Sequence, residues 1–125
     1  MVIVIFKMEV LAPKREEFLQ TVPVILSKAA REPGCLIHNM GQDLEGENSF
    51  IVVQAWQNQA KLDAYWCSDR FGIFMGTFHL LKNKPTLEIH AVSFTSGMEA
   101  VNAARSRVKL MDTKSQQKNS PRSVK

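Results

Sequence analysis

The stretch Phe50 to Trp56, FIVVQAW, constrains the fold more than any other part of this chain. Phe50, Val52 and Trp56 fall on one side of an extended chain, and Ile51, Val53 and Ala55 fall on the other. A strand that is apolar on both faces must be covered on both. Helices of the same chain can supply one cover. A second copy is the simplest source of the other.

The flanking segments supply the rest of a sheet. Val2 to Val10 (VIVIFKMEV) is apolar at every even position. Its odd positions begin apolar at Ile3 and Ile5 and turn charged at Lys7 and Glu9. This predicts a strand buried on both faces at its start and wet at its end. Lys14 to Arg31 carries Phe18, Val22, Ile25, Leu26 and Ala29 on one helical stripe, with Pro23 inside it, where a kink or break is expected. Glu32-Pro33-Gly34 is a turn signal. Cys35 to Gln42 is a second strand, and Asp43 to Ser49 is a polar loop that joins it to the third as an antiparallel hairpin. Asn58 caps a short helix over Gln59 to Trp66. Ser68 or Asp69 caps another, expected to run to about Lys82, with Phe71, Phe74, Met75 and Phe78 crowding one side. Thr86 to Phe94 is the last strand.

The order β-α-β-β-α-β is that of a ferredoxin-like α+β fold, a four-stranded antiparallel sheet with helices on one face. Residues 1–96 form this domain. Residues 97–125 are a C-terminal extension, with a helix expected over Gly97 to Met111 and a flexible tail from Thr113.

Charge separates these parts. From Arg105 onward there are seven bases and one acid, a net +6, which leaves −2 for the rest of the +4 total. A basic nucleic-acid surface on the folded domain is therefore not expected. Nor is a membrane span, since no apolar run approaches the roughly 18 residues one needs. The start lacks the basic leader and cleavage site of a signal peptide. Cys35 and Cys67 make no disulfide framework and suit a reducing cytoplasm. No metal-ligand spacing joins His38, His79 and His90, and there is no phosphate-cradling glycine loop, so neither a metal nor a nucleotide cofactor is expected.

Several segments resemble the antibiotic biosynthesis monooxygenase family. Glu32-Pro33-Gly34-Cys35-Leu36 is similar to its EPGCL turn, and Phe50 to Trp56 to its third strand ending in Trp. Leu62-Asp63-Ala64 followed by Ser68-Asp69-Arg70-Phe71 resembles its LDAH..SPHF stretch. Val10 with Pro13, Lys14 and Phe18 resembles its VKPGKEEEF opening. The resemblance spans about residues 2–94 and implies a homodimer whose two sheets pair into an α/β barrel. It also implies oxidation of a quinol, anthrone or similar phenolic molecule by O₂ with neither metal nor flavin. Other members degrade haem or have no known reaction, so a non-catalytic ligand-binding or regulatory dimer of the same fold is the alternative.

The departures shape the candidate site. The two family histidines of LDAH..SPHF are Tyr65 and Arg70 here. Haem-degrading members use a first-strand Asn, which is missing, and a Trp and a His whose places hold Tyr65 and Met75. Trp66 and His79 lie nearby but shifted, so haem degradation is disfavoured. Tailoring members pair a third-strand Asn with the terminal Trp; Trp56 matches the Trp, while Val52 stands at the Asn position.

The resemblance implies a pocket between sheet and helices, and strand alternation puts Val52, Gln54 and Trp56 on one side. Trp56 and His38 are the expected catalytic pair, with His38 as a near-neutral general base. Gln54, Val52, Tyr65, Trp66 and His79 are the expected substrate contacts. The plainer alternatives are a packing role for Trp56, a half-buried structural histidine at position 38, and a structural His79. His90, on the last strand, suits a dimer interface.

Overall fold

A computed structural model describes the backbone of residues 1–117 and the side chains of residues 1–112. Four strands, β1 (Val2–Glu9), β2 (Cys35–Asp43), β3 (Gly46–Trp56) and β4 (Thr86–Ala91), form one antiparallel sheet in the order β2-β3-β1-β4. Helices α1 (Arg15–Ser27), α2 (Gln59–Trp66) and α3 (Asp69–Met75) intervene, and α4 (Met98–Gln117) follows. The chain divides into two compact units, Met1–Ser93 and a second beginning at Phe94.

The first unit is the expected ferredoxin-like domain. The even residues of β1 (Val2, Val4, Phe6, Met8) are buried together with Phe50, Val52 and Trp56 of β3 and with Phe18, Val22 and Leu26 of α1. Leu62 and Tyr65 of α2 and Phe71 and Phe74 of α3 complete this core. Register explains the division of faces. Val4 pairs with Gln54 and Ile89, and Ile5 with Val53 and Glu88, so odd positions of β1 share the opposite face. There Ile3, Ile5, Ile51 and Val53 are half-buried and Ile37 is exposed. The sheet is open within one chain, with apolar residues on both surfaces.

Local signals hold, with corrections at element ends. The Asn58 side chain accepts from the Lys61 N–H at 2.9 Å, and the Ser68 hydroxyl accepts from the Phe71 N–H at 3.3 Å. Gly34 takes φ 86°, the left-handed region that favours glycine, and its carbonyl receives the Gln57 N–H at 2.8 Å. The helix runs through Pro23, where a kink or break was expected, and passes into a 3₁₀ turn only at Lys28. In α3 the expected long helix ends at Met75, and a separate 3₁₀ turn, Phe78–Leu80, follows. Gly76 is the C-cap of α3, with its N–H on the Gly72 carbonyl at 3.0 Å.

The polar loop expected over 43–49 shrinks to a tight turn, because β3 begins at Gly46 and pairs Gly46 with Asp43. The Asp43 carboxylate accepts the Glu45 N–H at 2.9 Å within that turn. β4 stops at Ala91 rather than Phe94, since β1, its only partner among the described residues, begins at Val2 opposite Ala91. Described by itself, α4 extends past Met111 to Gln117, so helix replaces the flexible chain expected at 113–117. The remainder of that expected tail, 118–125, lies outside the described residues.

Candidate functional site

Adjacent strands bring four of the expected residues together. In the β2–β3 ladder His38 stands opposite Gln54, and Met40 opposite Val52. Gln54 is fully buried, as are Trp56 and Val52. The Trp56 indole N–H donates to Gln54 Oε1 at 3.1 Å, and Gln54 Nε2 lies 3.3 Å from His38 Nδ1. From α2, Tyr65 lays its ring on Trp56, with centroids 4.9 Å apart and planes 23° apart. Two polar side chains of the strands thus meet two stacked rings beneath a helix. A buried amide is costly unless its hydrogen bonds are made, and here both ends of Gln54 find partners.

The electrostatics favour neutral groups. Burial pushes the Tyr65 phenol up to about 12; the Gln54 amide opposes this, and Glu32 and Cys35 add to it. Burial lowers His38 and raises the Cys35 thiol. Arg70 is not a free anion receptor, because its guanidinium meets Glu32 at 3.5 Å.

Beyond Tyr65 lies space for a ligand. Phe71 meets the Tyr65 ring edge-on at 5.3 Å and also lines an open cleft of about 620 Å³. Phe6, Trp66, Phe78 and Leu87 make its other apolar walls, and Lys84 stands at its margin. The Trp66 indole N–H is buried without a hydrogen-bond partner among the described residues. An open, largely apolar cleft with one cation among its lining residues fits an aromatic body carrying an anionic oxygen.

The expected residues therefore separate. His38, Gln54, Trp56 and Tyr65 form one set, buried except for the half-buried His38. Val52 is its apolar neighbour in the ladder, and Trp66 belongs to the cleft. His79 is exposed, its Nδ1 2.9 Å from the Gly76 carbonyl, outside both groups. His90 is exposed on the open sheet face beside Glu88 at 3.2 Å. Sequence reasoning missed Lys84 and Leu87 as cleft residues. Pairing of Leu87 with Phe6 is the signal that could have found Leu87.

The antiparallel sheet and its one-sided helices define an α+β ferredoxin-like domain whose cleft sits between the two layers. The family model for antibiotic biosynthesis monooxygenase matches residues 1–76, and the chain belongs to that family. A crystal structure of an antibiotic biosynthesis monooxygenase superposes with a TM-score of 0.70 at 18% identity, covering 75% of this chain and all of the other. Rv0793 from Mycobacterium tuberculosis gives 0.70 at 14% identity, over 77% of this chain and 98% of that one. A conserved protein from Methanosarcina mazei Go1 gives 0.67 at 22%, over 71% and 89%. At these identities the likeness is one of fold. The uncharacterised protein sll1783 of Synechocystis is 27% identical over 95 residues, 75% of this chain; the match spans 65% of that relative's length.

Proposed function

We propose that this domain is a cofactor-independent monooxygenase of a small quinol, anthrone or similar phenol. The observation that carries this reading is the aromatic cleft with the unused Trp66 N–H and Lys84 beside it. The ring system lies between Phe71 and Leu87, with its oxygen toward the donor and the cation. The ammonium favours the ionised phenol, whose proton leaves to water at the open mouth. The electron-rich anion passes one electron to O₂, and the resulting pair joins as a new C–O bond. For a methylene carbon, the peroxide then breaks its O–O bond and loses water. One CH₂ group and one O₂ thus become one C=O and one H₂O. The protein's part is to hold the anion, exclude water from the walls and align the reacting carbon.

The same reading includes a homodimer through the open sheet face, where Ile3, Ile5, Ile51 and Val53 would find cover and two sheets would close a barrel. Sedimentation at micromolar concentration checks it: the wild type runs as a dimer and Val53→Asp as a folded monomer. A monomeric wild type would remove this part of the reading.

Oxygen uptake with a panel of menadiol-like quinols and anthrones tests the chemistry. Uptake above the uncatalysed rate that falls in Phe71→Ala and Lys84→Met supports it. The stack of Tyr65 on Trp56 favours the second reading, a ligand-binding dimer without chemistry, because it fills the space over the indole. Quenching of Trp66 fluorescence by these quinols with no uptake for any of them would establish that second reading instead.

A further inference from the structure

We propose that Gln54 is a positioning residue that holds His38 as the neutral tautomer with its proton on Nε2, so that the ring offers a hydrogen-bond donor rather than a base. The argument begins at Trp56. An indole N–H can only donate, so the Gln54 atom 3.1 Å from it must be the amide oxygen. With the amide reversed, two donors would face each other in a fully buried place, which is costly. Fixing the oxygen end fixes the other. The NH₂ end then faces His38 Nδ1 at 3.3 Å, and that nitrogen must accept. A neutral imidazole that accepts at Nδ1 carries its proton at Nε2.

The direction of the chain is therefore Trp56 to Gln54 to His38, each N–H pointing toward the next acceptor. The Tyr65 phenol on α2 interacts with the Gln54 amide, and burial keeps both that phenol and the Cys35 thiol on β2 protonated. Among the described residues His38 has no polar partner but Gln54, so the Nε2–H is uncommitted. His38 is half-buried and can be reached by a ligand. A phenolate, enolate or carbonyl oxygen is the group an imidazole N–H recognises. This reverses the general-base role expected from the sequence, because the nitrogen that could take a proton is already occupied by the Gln54 amide.

The test is a long-range ¹H–¹⁵N correlation spectrum of the full, ligand-free chain. It uses no substrate, so its outcome is separate from that of the oxygen-uptake experiment. The three histidine ring systems are assigned by comparison with His38→Gln, His79→Gln and His90→Gln. The expected result is a His38 Nδ1 at the shift of an unprotonated nitrogen and an Nε2 at that of a protonated one. In Gln54→Glu the carboxylate accepts from both sides, and His38 becomes the doubly protonated cation at neutral pH. In Gln54→Leu the tautomers mix. A wild-type His38 with its proton on Nδ1, or averaging between tautomers as an exposed histidine does, would overturn the proposal without any variant.

Discussion

Tyr65 covers Trp56: the two rings lie 4.9 Å apart and within 23° of parallel, with Trp56 fully buried beneath. The expected catalytic indole is thus the floor of a stack, and the open space lies on the other side of Tyr65, past Phe71. Tyr65 joins the polar set to the cleft, and it is the chain's only tyrosine.

A single tyrosine makes its titration legible. The phenol ionises at about 12 in the fold, against about 10 in an unfolded chain. Between those values the folded state binds the additional proton. Tyr65 therefore leaves stability unchanged below about pH 10 and erodes it as pH rises toward 12, by about 1–2 kcal/mol after allowing for solvent screening. The ultraviolet phenolate band should show one late transition, and Tyr65→Phe should abolish both the band and the alkaline loss of stability.

His38 acts in the opposite pH range. Burial lowers its protonation point below the ordinary 6.5, so in acid the unfolded chain takes up a proton before the folded one. Its contribution is complete above about pH 6.5 and is lost as pH falls through the folded value. Denaturant midpoints at about pH 7 and pH 5 should differ more for the wild type than for His38→Gln.

The cleft separates stability from binding. Trp66→Phe removes a buried donor that has no partner among the described residues, so the free protein should change by less than about 1 kcal/mol. Quinol binding should weaken. Lys84→Met should raise KM about tenfold for ligands that bind as anions, equivalent to about 1.4 kcal/mol, and should leave neutral analogues unaffected. Steady-state kinetics and calorimetry of the two variants check both statements.

Gly34→Ala should cost about 1 kcal/mol, because φ 86° disfavours any side chain. An added Cβ would also meet Lys61 Cγ at 2.5 Å, a clash that the flexible lysine can relieve by moving. A fall in Tm of about 4–8 °C in a thermal scan is the expected reading.

Alternation in β1 and β3 made the sheet, its buried face and the grouping of Gln54 with Trp56 readable from residues alone. His38 could be placed on β2, but its partner depended on ladder register, and register across a tight hairpin is set by turn geometry. The roles of Tyr65 and Trp66 were undecidable because neighbours on a helix point about 100° apart, and only packing chooses between them. His79 looked usable on a helix that was expected to continue. The chain instead turns at Gly76, and the imidazole ends on the carbonyl that the turn exposes. Lys84 was invisible because a break was the only signal in Lys82-Asn83-Lys84-Pro85.

Strand β4 is held along one side by β1 and is exposed along its whole length. Such an outermost strand is the cheapest part of a sheet to peel away. Leu87 of the aromatic slot lies on it, and Pro85 and Lys84 lie just before its first residue. The slot therefore has one lightly held margin at Lys84, Pro85 and Leu87, while its walls at Phe6 and Phe71 belong to the packed core.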